Sequence, residues 1–275
     1  MVETNKIGFC FLVRKDLNQL SLWEEFFHDA PSNKYKIYFH VADKEGSSQE
    51  FVKKHTIKEF TETKWGGNLY QAVTLLYKNA MKDKCFKFCL LSESHIPIRN
   101  FSYVYKHLTS TKNSHLHYQT RLPKDSSGVK TNIMMFERFA NNMKRCPVFA
   151  KNIDIKHWYF NEMWTILNKK HAKLIINDTN IKSYLKNAFA WDENYPMYMI
   201  SMNNEIKNVT NEKSSFVDWS QAVEHTKGQR SPAEFKQVTD DFIEHIQTES
   251  SILFARKFPA DSNVGDFSST LLRSE

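Results

Sequence analysis

The chain has 275 residues, 41% of them hydrophobic and 14% aromatic, enough to bury a substantial core. Seven glycines and seven prolines are few for this length, where usage of roughly 7% and 5% is ordinary, which argues against a disordered or collagen-like chain. No G-x-G-x-x-G or Walker A string occurs, and the net charge of +7 is spread in lysines with no block of five; the balance suits an anionic ligand more than a nucleic-acid tail.

Residues 7–13 (IGFCFLV) read as a buried strand, and 17–27 as a helix with Leu20, Trp23, Phe26 and Phe27 on one side. A second strand is expected over 36–41, a third over 56–60, an amphipathic helix over 68–81, a strand over 86–91 and a helix over 101–108. This β-α-β-α-β opening predicts a Rossmann-like mixed α/β sheet flanked by helices, with ligands beyond the carboxyl ends of the strands. Arg14, Asp43 and the turn 92–95 fall at those ends. Beyond them, 121–131 reads as a loop, 133–143 and 158–168 as helices, 173–176 as a strand, 203–215 as a surface loop and 216–219 as a short strand. A helix over 239–247 is expected to be capped by Thr239 or Asp240, with 252–258 closing the readable chain.

Cys10, Cys85, Cys89 and Cys146 form no C-x-x-C pair, and Cys10 and Cys89 lie in apolar runs, so buried free thiols and a reducing compartment are expected. No signal peptide and no apolar stretch of about 18 residues is found, so a soluble, cytoplasmic protein without a membrane span is expected. Three N-x-S/T sequons, at Asn100, Asn177 and Asn208, carry weight only in a secretory lumen.

The string LLSESHIP (90–97), with FLVR (11–14), IYFHVADK (37–44), KWGG (64–67), FVDWS (216–220), RSPAEF (230–235) and LFARKF (253–258) in the same order, resembles the core-2/I-branching β-1,6-N-acetylglucosaminyltransferase family over about residues 7–258. The resemblance implies a GT-A-type fold in one catalytic domain spanning 1–275, with a donor-binding half at about 1–110 and an acceptor and catalytic half at about 111–260. It also implies inverting transfer of a sugar, commonly N-acetylglucosamine, from UDP to a glycan hydroxyl. UDP-xylose or UDP-glucose as donor, and an inactive sugar-binding module, stand as alternatives, with a nucleic-acid binder the more distant one. Family members are usually membrane-anchored with a set of luminal cysteines; here a catalytic domain without either is expected.

Inverting transfer needs a base for the acceptor hydroxyl and positive charge for the departing diphosphate. The resemblance assigns the base to Glu162, although Asn161 and Met163 replace the family's Asp and His beside it; Asp154 and Glu93 are the other carboxylates considered. It assigns the diphosphate clamp to Arg230 and Lys257, with Arg256 one residue away, so no metal or other cofactor is expected. Ser92-Glu93-Ser94 stands where metal-dependent relatives carry D-x-D, and a single carboxylate between serines is a poor site for a hard cation. Val13, Arg14, Asp43, Trp65 and Gly66 are expected to bind the nucleotide, and Ser92, Glu93 and Ser94 to touch donor or acceptor. His40 and His95 are expected to be hydrogen-bonded structural residues, and Asp218 and Trp219 to support the sheet or the acceptor side.

Overall fold

The computed structural model describes residues 5–64, 68–119, 129–221, 223–225 and 229–264. The first half contains β1 (Ile7–Val13), α1 (Leu20–His28), β2 (Tyr35–Val41), α2 (Glu50–His55), α3 (Leu69–Lys82), β3 (Lys87–Ser92), β4 (Ile96–Pro97) and α4 (Phe101–Thr109). There follow β5 (Ser114–His115), β6 (Tyr118–Gln119), α5 (Val129–Arg145), α6 (Pro147–Asn152), β7 (Phe160–Asn161), β8 (Ile166–Asn168), α7 (Lys169–Asn177), α8 (Ile181–Leu185) and α9 (Tyr195–Met202). The last part holds β9 (Val209–Thr210), β10 (Ser215–Val217), β11 (Val223–His225), β12 (Gln229–Ser231), α10 (Asp240–Gln247) and β13 (Phe254–Arg256).

Among the described residues the main sheet runs β2-β1-β3-β8-β5-β9. β1 pairs in parallel with β2 and β3, and β8 joins antiparallel to β3. A smaller sheet, β10-β13-β4, lies beside it. The mixed α/β class expected from the opening elements is what the chain adopts.

β1 is buried along its whole length, and its side chains alternate between two cores. Cys10 and Leu12 enter a core with Tyr70, Leu76 and Phe88, built on α3 and the later helices. Ile7, Phe9, Phe11 and Val13 enter the opposite one, with Trp23, Phe26, Phe27 and Phe101 from α1 and α4. There Phe9 meets Phe27 edge-on at 5.1 Å and Phe11 meets Trp23 at 4.8 Å, contacts worth about 0.5–1.5 kcal/mol each beyond burial. β3 follows the same alternation, Phe88 and Leu90 on one face and Cys89 and Leu91 on the other. A third cluster, with Ile96, Ile243, Ile246 and Phe258, fills the space under α10.

Four expected segments differ. Residues 56–60 contribute a single bridge, Phe39 to Thr56, and no strand. The stretch 158–168 is two short strands around a turn and not a helix. Residues 173–176 lie within α7, because Asn168 caps that helix by accepting from the His171 N–H and Ala172 and Ile175 share its buried face. The segment 203–215 contains β9, which pairs with β5. Thr239 caps α10 by accepting from the Phe242 N–H, as expected. All four cysteines are buried and free. No helix among the described residues is long and apolar enough to cross a membrane.

Candidate active site

Past the end of β1 the pairing with β2 continues: Ala42 N–H donates to Val13 O at 2.9 Å and Asp43 N–H to Arg14 O at 2.8 Å. Asp43 turns back on its own loop, its Oδ1 accepting from Glu45 N–H at 2.9 Å. Beside it the turn after β3 is fastened to the end of β1, with Glu93 N–H donating to Leu12 O and Asn18 N–H to Glu93 O. The Glu93 carboxylate is engaged at both oxygens, Oε2 by Arg14 N–H at 2.5 Å and Oε1 by Arg14 Nε at 2.7 Å. Glu93 is enclosed (17% exposed) while the Arg14 side chain is 87% exposed at the mouth of the crevice.

Ser92 holds the next turn. Its N–H donates to His95 Nδ1 at 3.0 Å and its Oγ lies 2.8 Å from the same nitrogen and 3.1 Å from Ser94 Oγ. Nδ1 therefore accepts and the ring proton sits on Nε2, which is buried without a hydrogen-bond partner. The ring meets Trp164 edge-on at 4.7 Å. Burial, then the nearby Arg256 charge, drives the His95 pKa well below its ordinary value, so the ring is neutral, as its structural reading requires.

β6 and β7 deliver the carboxylate at 162. Their register pairs Tyr118 with Asn161, which sets His117 opposite Glu162. Glu162 N–H donates to His117 O at 3.1 Å, and His117 Nδ1 lies 3.0 Å from Glu162 Oε1. The changed neighbours serve the fold: Asn161 is buried and binds Glu162 O and Met197 N–H, and Met163 packs on the first core.

β13 closes the crevice from the far end of the chain. The Arg256 guanidinium lies 4.7 Å from the centre of the Trp164 ring. Its Nε is buried and unpartnered, and it sits in the field of Glu93, Glu162 and Glu193. Burial lowers its pKa to about 10 against the pull of those carboxylates, so it stays charged at neutral pH. Lys257 pairs with Glu234 at 2.8 Å. Phe258 N–H then donates to Ser94 O, while Asn18 Nδ2 donates to Phe258 O and Gln19 Nε2 to Pro259 O.

Of the expected residues, Val13, Arg14, Ser92, Glu93 and Ser94 thus meet at one crevice with the strand end carrying Lys257. Glu162 joins through Arg256 and Trp164, and Asp43 stands on the flank. Arg230 lies on β12 opposite Glu224, but its side chain is outside the described residues, as are Trp65 and Gly66. Asp154 is spent locally on Lys156, accepting its N–H at 2.9 Å with Nζ 3.0 Å away. Asp218 accepts from Ser220 N–H and Oγ, and Trp219 is exposed. Sequence reasoning did not single out Arg256, Trp164 or His117 as site residues. Arg256 carried a signal in the LFARKF string, whereas His117 is placed only by strand pairing.

His107, His115 and Glu212 form a second cluster, at the opposite end of β3, whose ligand-type atoms lie within 4.8 Å of one another. Both imidazoles contact Glu212 Oε1, at 3.0 and 2.6 Å. Lys87, buried at the start of β3, places Nζ 3.3 Å from His115 Nε2 and donates to Asn113 O. The lysine opposes a cation there and leaves His115 Nδ1–H aimed at Glu212, so the cluster is a self-satisfied network.

The family model for core-2/I-branching enzymes matches residues 7–247, from β1 through α10. The chain belongs to the core-2/I-branching enzyme family. A rice protein, glycosyltransferase BC10 (Oryza sativa subsp. japonica), is 22% identical over 183 residues, which cover 64% of this chain and 41% of BC10. The chain therefore matches less than half of the length of that relative. The core-2/I-branching match ends before β13, so Arg256 and Lys257 stand outside the matched segment.

Proposed function

We propose that the chain is an inverting glycosyltransferase that moves a sugar, N-acetylglucosamine in the first instance, from its UDP donor to a glycan hydroxyl without a metal ion. The observation that supports the reading is Arg256, which lies on Trp164 in the field of both Glu93, past the end of β3, and Glu162, with Lys257 next to it in the chain. Such crevices are where open α/β sheets bind ligands. Family membership supports the reaction class.

In the proposed step the acceptor oxygen bonds to the anomeric carbon as the bond from that carbon to the β-phosphate oxygen breaks. The bonding pair leaves with UDP, and the acceptor proton passes to Glu162. Arg230 and Lys257 bind the diphosphate and stabilise its growing charge, Lys257 exchanging Glu234 for phosphate. Arg14, Val13, Asp43, Trp65 and Gly66 form the nucleotide side, and Ser92, Glu93 and Ser94 floor the crevice. Metal independence is supported by Glu93, whose two oxygens are both engaged by Arg14.

UDP release from a panel of UDP-sugars, N-acetylglucosamine, xylose and glucose among them, with and without chelator, tests the proposal. Turnover that survives chelation is the expected result; turnover abolished by chelator and restored by a divalent ion sinks metal independence. Glu162→Gln is expected to lower kcat by about 10²–10⁴-fold while UDP binding persists. No UDP binding and no turnover with any donor would point to an inactive sugar-binding module.

A further inference from the structure

We infer that His117 is the positioning residue for the carboxylate at 162, holding Oε1 so that Oε2 is left to take the acceptor proton; the inference rests on the reading of Glu162 as the base. The terminal torsion of a glutamate is broad and roughly two-fold, so a carboxylate on its own sweeps a wide range of orientations. Here the backbone at 162 is fixed by its bond to His117 O, and the side chain by His117 Nδ1 at 3.0 Å. Two contacts from one residue fix both ends of the glutamate. The carboxylate can only accept, so Nδ1 carries the proton and donates. Among the described residues no hydrogen bond reaches Oε2.

The register of β6 and β7 makes the pairing a property of the fold. With Tyr118 opposite Asn161 and Gln119 opposite Phe160, the next pair inward is His117 and Glu162. Both side chains are largely enclosed, at 25% and 20% exposure, so the bond is shielded from competing water. Arg256 is also near Glu162, shared with Glu93 and Glu193, and its guanidinium is spread over Trp164. Arg256 therefore supplies field without fixing orientation, and His117 supplies the orientation.

The test compares His117→Ala, His117→Asn and Glu162→Gln for kcat and donor KM, with UDP binding and the thermal midpoint measured alongside. His117→Ala is expected to lower kcat about 10- to 100-fold, as expected for a misplaced catalytic group, with donor KM held within about twofold. His117→Asn, whose amide nitrogen sits where Nδ1 does, recovers most of kcat. If Glu162→Gln abolishes turnover but His117→Ala keeps wild-type kcat, the inference fails and the base reading stands. If Glu162→Gln turns over normally, the base reading itself fails. A loss of UDP binding or of thermal midpoint matching the loss of kcat in His117→Ala would make the residue merely structural and overturn the inference. Should the alanine variant not fold, His117→Asn against His117→Leu decides, and equal kcat in the two overturns it.

Discussion

Arg256 and Lys257 are neighbours in sequence but differ in what surrounds them. Arg256 lies against Trp164 with Nε out of reach of solvent and three carboxylates in its field. Those carboxylates keep Arg14, His117 and Arg138 as partners, so Arg256→Met, which removes a desolvated charge and keeps much of the side-chain volume, is expected to be near neutral or stabilising in urea unfolding. Arg256→Lys keeps the buried charge but gives up the flat contact with Trp164, so a loss of about 0.5–1 kcal/mol is expected. Lys257 is a third exposed and its partner Glu234 more so. Lys257→Gln is expected to change stability by less than about 1 kcal/mol, so any large fall in transfer by that variant reports ligand contact and not folding.

At the scale of elements, β1 and α3 approach so closely that a Cβ at Gly8 would stand 3.1 Å from Ala80 Cβ and 3.2 Å from Cys85 Sγ. Gly8→Val is expected to destabilise by about 1–3 kcal/mol, as overpacking of a closed core does, read as a lower denaturation midpoint. Elements whose hydrophobic period runs without interruption, β1, α3 and β3, were legible in the sequence because one residue spacing decides them. The stretch 158–168 was not: Trp158, Phe160, Trp164 and Ile166 fit a helical or an alternating pattern, and only pairing with β6 and β3 settles it. Residues 173–176 looked like a strand because four apolar or long side chains hid the cap at Asn168 five residues upstream. The same limit governs the site. Glu162, Lys257 and the turn at 92–94 sit in strings that carry the family resemblance, whereas His117 acquires its neighbour through a register that no local string encodes.

Across the whole molecule, His40, His95, His115 and His171 are buried and their pKa values are lowered chiefly by burial, that of His171 to about 4. Each is neutral when folded and takes up a proton on unfolding, so stability is expected to fall as pH drops below about 6.5, measured as the thermal midpoint between pH 7.5 and 5. Asp192 acts with the opposite sign. Burial, then Glu193, raises its carboxyl to about 6, so the folded chain holds a proton that the unfolded chain releases. Its contribution is full below the unfolded value and is lost as pH rises through 6. Asp192→Asn is therefore expected to match the wild-type midpoint near pH 4 and exceed it at pH 7, by roughly 1–3 kcal/mol. The side chains that clasp the crevice, Asn18 on Phe258 and Gln19 on Pro259, are 240 positions apart along the chain. During synthesis β1 and β3 have long since left the ribosome when β13 is made, so, on the proposed reading of the site, a nascent polypeptide is expected to stay silent toward sugars until translation has passed that strand.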